Sequence, residues 1–272
     1  MRSLSNNRLG AAGAAALAPA LAANGALTAL DLSYNRLKDE GVSAVCEAIQ
    51  SNKETKLASL NFTYNAIGPV GANSVAAMVS VTGALTSLDL SNNQLCSLDY
   101  LGRGTFTTEG ITAIADALRV NGALTVTNLL GNRLDAESAK MLAEVAKQKG
   151  ISLCGIQRDQ TTADFHDHDL KPPDAILLAS DLSQAGVTGA LTKMRYVTPQ
   201  TKSEFGSDWT HIDIRGASDA RLLVHVARVR VLRTCVMQPS VGLLSAFPHA
   251  ACAPSSHIIL PLTLHSLLLF AT

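Results

Sequence analysis

Charge and aromatic rings are both scarce in this sequence. Charged residues make up 16% and aromatics 4% of the 272 positions, and the formal net charge is zero. A surface that holds a polyanion needs a net positive field, so nucleic acid is not an expected partner. The five cysteines, Cys46, Cys96, Cys154, Cys235 and Cys252, form no C-x-x-C and no close pair. Zinc and dithiol chemistry are left without a motif, and packed thiols in a reducing, cytoplasmic setting are expected instead. Neither a G-x-x-x-x-G-K-[ST] phosphate loop nor a G-x-S-x-G elbow occurs, so no catalytic residue or cofactor cradle can be named. The apolar run over 258–271 is interrupted by Pro261 and His265. It is shorter than the roughly 20 residues a spanning helix needs, which argues against a membrane anchor.

What is present is a repeat. Leu27, Leu30, Leu32, Asn35 and Leu37 form the pattern L-x-x-L-x-L-x-x-N-x-L. It returns as Leu57, Leu60, Phe62, Asn65, Ile67, and as Leu85, Leu88, Leu90, Asn93, Leu95. A fourth copy reads Leu124, Thr127, Leu129, Asn132, Leu134, and a partial one opens the chain at Leu4, Asn7, Leu9. The separations between the successive asparagines Asn7, Asn35, Asn65, Asn93 and Asn132 are 28, 30, 28 and 39. Such a recurring period marks a solenoid of stacked units, with the last step lengthened by an insertion.

The second half of each unit also keeps register. Six residues after the asparagine stands Gly13, Gly41 or Gly71, and Gly110 once the insertion is allowed for. Apolar residues follow at steps of four: Leu17 and Leu21, Val45 and Ile49, Val75 and Val79, Ile114 and Leu118, Leu142 and Ala146. Spacing by four places a pair on one helix face, while Leu30 and Leu32, two apart, share one face of a strand. Each unit is therefore a strand, a turn and a helix, with strands centred near Leu30, Leu60, Leu88 and Thr127. The asparagine amide is suited to bonding backbone groups that the turn would otherwise bury unpaired. Asn24-Gly25 and Asn121-Gly122 suit a left-handed helix stop.

These motifs resemble the ribonuclease-inhibitor subfamily of leucine-rich repeats, found also in NOD-like receptors and Ran GTPase-activating protein. The resemblance implies an α/β solenoid, a curved horseshoe with parallel strands on its concave face and helices on its convex face. It also implies that the concave face receives a protein partner. The main expectation is a noncatalytic interaction scaffold; the alternative is a GTPase-activating protein of the Ran type.

The array is expected over 1–198, uncapped at its start and degenerate in its last units, with an unassigned irregular tail over 199–272. The alanine-rich stretch after Arg8 passes for a signal peptide when read alone, but Gly13, Leu17 and Leu21 fall in the helix register, which predicts a repeat helix. The insertion between Cys96 and Thr107 is either a tolerated surface loop or a binding loop. Beyond Asn132, Leu153 and Ile156 mark a weakened strand, and Phe165, His168 and Leu170 fit the register with His168 in the asparagine place. A helix is expected from about Pro172 to Gln184, and Leu191, Met194 and Tyr196 mark a last strand before Pro199. Val224 to Leu232 alternates enough for one more. Asp164, His166, Asp167, His168 and Asp169 form a metal-like run that reads more simply as a solvated acidic loop. The sequon Asn61-Phe62-Thr63 falls inside a predicted strand.

The candidate binding surface is the strand face directed away from the helices. Its central column reads Asp31, Asn61, Asp89, Asn128, flanked by Ser33, Thr63, Ser91 and Leu130. Tyr34, Tyr64 and Asn92 stand just before the ladder asparagines. Small polar groups edged by tyrosine suit a protein interface.

Overall fold

The computed structural model describes residues 2–165, 170–196 and 210–213. Strand and helix alternate as the period requires: β1 (Arg2–Ser3), α1 (Gly10–Ala23), β2 (Ala29–Asp31), α2 (Lys38–Ser51), β3 (Ser59–Asn61), α3 (Pro69–Val81), β4 (Ser87–Asp89), α4 (Glu109–Val120), β5 (Val126–Asn128) and α5 (Ala136–Lys149). There follow β6 (Thr162–Asp164), α6 (Pro172–Leu182), α7 (Ala185–Thr188), β7 (Lys193–Tyr196) and β8 (Thr210–Asp213). The first five strands form one parallel sheet in sequence order, and Leu30 pairs Leu60, Leu60 pairs Leu88, and Leu88 pairs Thr127. Consecutive helices from α1 to α6 pack on one another. The core between strands and helices is made of the periodic residues: Leu32, Leu37, Val45, Phe62, Ile67, Val75, Leu90, Leu95, Leu129 and Leu142 are each wholly buried. A short strand or a lone helix cannot shield such a face, so each unit depends on its neighbours. The alanine-rich stretch is the helix α1, in register with the others.

The asparagine ladder explains how the turns tolerate burial. Asn35 donates through Nδ2 to the carbonyls of Leu4 (2.8 Å), Leu32 (3.0 Å) and Ser33 (3.0 Å). Its Oδ1 accepts the amides of Asn7 (3.0 Å) and Leu9 (3.3 Å). Asn65, Asn93 and Asn132 repeat the arrangement, so each side chain ties its own turn to the unit before it. Residues beside the rungs are forced into the left-handed region: Tyr34 (φ 57°) and Arg36 (φ 53°) flank Asn35, Tyr64 (φ 54°) and Ala66 (φ 57°) flank Asn65, Asn92 (φ 55°) precedes Asn93, and Arg133 (φ 54°) follows Asn132. Non-glycine residues seldom adopt that region, and the satisfied amides hold them there.

A second ladder runs along the other end of the units. Asn52 donates to the carbonyls of Leu21 and Asn24, both at 2.8 Å, and Asn121 donates to Val79 (2.7 Å) and Thr82 (3.1 Å). This corrects the reading of Asn24 and Asn121 as left-handed stops. Both cap their helices in extended backbone, φ −90° and −70°. The side-chain Oδ1 accepts the next amides, Ala26 and Leu27 in one case and Ala123 and Leu124 in the other. With those amides satisfied locally, no left-handed turn is required.

After α5, which ends at the left-handed Gly150 (φ 67°), the parallel sheet stops. The weakened strand around Leu153 makes only isolated bridges, Val126 to Ser152 and Asn128 to Cys154. The cause is the buried carboxylate of Asp181 on α6. It accepts from Ser152 Oγ (2.7 Å), Leu153 N (2.8 Å) and Cys154 N (2.9 Å). Asp174, at the start of the same helix, accepts from Gly131 N (3.0 Å) and Lys171 N (2.8 Å). Two buried carboxylates thus receive amides where no ladder asparagine follows Asn132. Strands β6, β7 and β8 make a separate sheet, with β6 parallel to β7 and β8 antiparallel to it. β6 lies where His168, counted as the ladder residue, puts it, and β7 falls on Met194 as expected. β8 lies beyond residue 198, where the register ends. The predicted strand over 224–232 and the apolar run 258–271 lie outside the described residues.

Candidate partner-binding face

The parallel register carries Asp31, Asn61 and Asp89 side by side on β2, β3 and β4. All three are half-buried, and each turns its side chain back to the residue two further on. Asp31 Oδ1 accepts from Ser33 N (3.0 Å) and Ser33 Oγ (2.7 Å), and Asp89 Oδ1 accepts from Ser91 N (2.9 Å) and Ser91 Oγ (2.7 Å). Asn61 Oδ1 accepts from Thr63 N (2.9 Å). The column is therefore a series of small side-chain turns that end the strands, with the second carboxylate oxygen of each aspartate left to accept from a neighbouring strand. Ser3 Oγ donates to that oxygen of Asp31 (3.0 Å), and Asn128 Nδ2 donates to that of Asp89 (3.2 Å).

The flanking positions depart from the expected alternation. Ser33, Thr63, Ser91 and Leu130 are buried rather than outward. Ending each strand with a side-chain turn rotates these residues under the column. Asn128 is also buried, because its amide is committed to Asp89 and the left-handed Gly155 packs against it. On the same strand the hydroxyl of Thr127 occupies a leucine position of the other units, wholly buried and without a partner among the described residues.

The exposed part of the face is aromatic. Tyr34 and Tyr64 are 51% and 45% exposed and stack on each other, ring centroids 4.6 Å apart and planes 20° from parallel. Stacking at this separation is favourable. Partial burial first, then Tyr64 and Asp89, hold the Tyr34 phenol above its ordinary pKa, so it remains a neutral donor at physiological pH. Asn92 continues the row, half-buried, with the left-handed Gly131 against it: a Cβ there would stand 2.4 Å from Asn92 Oδ1.

The insertion leaves the same end of β4. Asp99 gathers its backbone, accepting from Leu101 N and Arg103 N (both 2.9 Å) and from Arg103 Nε (2.8 Å). Those donors, the Arg103 amide foremost, hold the Asp99 carboxyl below the usual range. Arg133, the left-handed residue after the last ladder asparagine, donates to the Tyr100 carbonyl and ties the loop to the next unit. The loop presents Tyr100 (77% exposed), Leu101 and Phe106 to solvent.

The thiols of Cys46, Cys96 and Cys154 are buried and unpaired. Burial drives each upward, Cys96 to about 12, so none is a thiolate nucleophile at neutral pH. Of the acidic and histidine run, Asp164 ends β6, and the other four residues lie outside the described residues. No helix among the described residues is long and apolar enough to cross a membrane.

Comparison with known proteins agrees with the repeat geometry. Models described as "Leucine Rich repeat" match residues 26–46 and 53–76, and one described as "Leucine Rich Repeat" matches 84–103. The chain is 33% identical over 159 residues to NACHT, LRR and PYD domains-containing protein 13 of Homo sapiens, covering 52% of this chain and 15% of that protein. It is 28% identical over 153 residues to NACHT, LRR and PYD domains-containing protein 5 of Bos taurus, covering 48% and 13%. Among solved structures, Leiomodin-1 Actin-Binding Site 2 aligns with a TM-score of 0.41 at 19% identity, over 50% of this chain and 71% of that one. The chain thus spans less than a fifth of the length of the two curated relatives.

Proposed function

This chain is a leucine-rich repeat protein, and we propose that it serves as a noncatalytic scaffold binding a protein partner across its strand face. The observation that carries the reading is the stacked pair Tyr34 and Tyr64, about half exposed on backbone locked by the asparagine ladder. Two rings fixed in advance offer contact area without an ordering cost on binding, which is how tyrosines become anchors. Asp31, Asn61, Asp89 and Asn92 surround them with acceptors, and Asn128 supports Asp89 from below. Tyr100 and Leu101 on the insertion extend the surface at its edge. The buried free thiols fit a reducing compartment such as the cytoplasm. No observation on the described residues favours a GTPase-activating protein of the Ran type.

The test is affinity capture from native lysate with the whole chain and two variants. Tyr34→Asn with Tyr64→Asn removes the rings while asparagine tolerates the left-handed backbone. Val70→Glu changes an exposed residue of α3 instead. The reading expects the first variant to lose the captured partner and the second to retain it, with both melting as the parent does. Retention by the tyrosine variant, or loss by the helix variant, would refute it.

A further inference from the structure

The strand face carries charge of one sign only. Residues 29–34, 59–64, 87–92 and 126–131, which form β2 to β5 and the turns that end them, hold two acidic residues, Asp31 and Asp89, and no lysine, arginine or histidine. Each aspartate keeps one oxygen in its own side-chain turn. The second oxygen meets only a neutral donor, Ser3 Oγ at 3.0 Å from Asp31 and Asn128 Nδ2 at 3.2 Å from Asp89. No cation among the described residues pairs with either carboxylate. The cations of the adjoining loops are engaged, Arg103 with Asp99 at 2.8 Å and Arg133 with the Tyr100 carbonyl. Arg36 and Lys38 stand beyond the ladder rung Asn35, where the chain has turned into α2.

The aromatic pair lies in the same field. After burial, the Tyr64 phenol and the Asp89 carboxylate hold the Tyr34 phenol above its ordinary pKa, so Asp89 acts on the hydroxyl end of the stack. A tyrosine ring draws a cation to its face, so ring and carboxylate favour the same group. Arginine suits both, because its planar guanidinium stacks on an aromatic ring and donates in a fork to a carboxylate. A single metal ion does not suit the pair. Asp31 and Asp89 stand two strands apart in register, which separates them by roughly 10 Å, whereas a metal ion holds oxygen ligands at about 2–2.6 Å.

We infer that the partner of this face presents arginine: a helix laying two arginines, two turns apart, across the strands, so that one guanidinium reaches Asp31 and the other Asp89 beside the Tyr34–Tyr64 stack. Two turns of helix span about 11 Å, which matches the strand spacing. The inference rests on the reading of this face as the partner-binding one and adds the chemistry of what binds.

The probe is an alanine-based helical peptide with arginine at two positions two turns apart, titrated into the whole chain and followed by nuclear magnetic resonance. Comparison peptides carry citrulline, the neutral isostere, or lysine at the same positions. The arginine peptide should shift the resonances of Asp31, Tyr34, Tyr64 and Asp89, and should bind about fivefold or more tighter than the citrulline peptide. Added salt should weaken it. Asp31→Asn with Asp89→Asn removes both charges and keeps the turns, since Asn61 makes the same turn by accepting from Thr63 N at 2.9 Å. That variant should melt as the parent does and lose the preference for arginine over citrulline. Glu40→Gln with Glu47→Gln, exposed on α2, should retain it. Equal affinity for the arginine and citrulline peptides, an unchanged preference in the aspartate variant, or shifts confined to other surfaces would overturn the inference. A lysine peptide that binds as tightly as the arginine one would overturn the choice of guanidinium. Adding the aspartate variant to the lysate capture separates this inference from the scaffold reading. Partner loss on the tyrosine change but not on the aspartate change sinks the arginine alone; retention by the tyrosine variant sinks both.

Discussion

Replacing Asn65 by alanine removes five hydrogen bonds at once. Three are donated by Nδ2, to the carbonyls of Leu32 (2.9 Å), Phe62 (3.0 Å) and Thr63 (3.3 Å); two are accepted by Oδ1, from Asn35 N (3.1 Å) and Leu37 N (3.2 Å). Asn65, Asn35 and Leu37 are wholly buried, so water cannot replace the lost partners. Leaving a buried donor or acceptor unpaired costs about 1–3 kcal/mol. The two orphaned amides alone cost about 4 kcal/mol, with the weakened carbonyls adding to that. The left-handed residues Tyr34 and Tyr64 also lose the contacts that fix them. A total of roughly 4–6 kcal/mol is a large share of the ~5–15 kcal/mol that holds a domain together. Urea unfolding followed by far-ultraviolet circular dichroism measures it directly. Asn7→Ala is the control, since Asn7 is exposed and water can replace its bonds to the Leu4 and Ser5 carbonyls; it should cost under about 1 kcal/mol. A loss below about 1 kcal/mol for Asn65→Ala would refute the claim that the ladder, rather than apolar stacking alone, holds the turns.

Thr127→Val should raise stability by about 1 kcal/mol in the same assay, because it removes a buried hydroxyl without a partner while keeping the side-chain shape. Burial raises the Asp181 carboxyl from 3.8 to about 6, against the opposing pull of Leu153, Ser152 and Cys154. In the folded chain the proton is therefore held more tightly than in the unfolded one, so the stability that Asp181 contributes should be fully present below about pH 4 and be lost as pH rises through about 6. The span is on the order of 3 kcal/mol, and Asp181→Asn should flatten that slope; an unchanged slope would assign it to other groups. Gly104→Ala should disorder the insertion, since a Cβ there would lie 2.1 Å from the Ser97 carbonyl. Faster proteolysis between residues 97 and 107, with an unchanged melt, is the expected result.

The units themselves were legible because one residue type recurs at one place. The asparagine positions predict β2 to β5 and even β6, where His168 stands in for asparagine. The second ladder carried the same signal, with Asn24 and Asn52 separated by the same step as Asn7 and Asn35, but each reads locally as an ordinary helix stop. The buried carboxylates Asp174 and Asp181 were not legible, because an aspartate in an amphipathic helix reads as a solvent residue until its amide partners are known. On the candidate face, the outward reading of Asp31, Asn61 and Asp89 followed from strand alternation. It failed for Ser33, Thr63, Ser91 and Asn128, because strands of three residues end in side-chain turns and alternation stops with them. The Tyr34–Tyr64 stack depends on left-handed backbone at both residues, which no strand pattern announces.

The central claim is that a protein partner seats on the stacked tyrosines. A photo-cross-linking phenylalanine analogue placed at Tyr34 keeps an aromatic ring on the same backbone, and a second chain carries it at Glu47, exposed on α2. Each is irradiated in native lysate, and cross-linked species are resolved by mass. The account predicts a discrete protein adduct from position 34 that the Tyr64→Asn change diminishes, and none from position 47. An adduct from position 47 alone, or equal adducts from both, would contradict it.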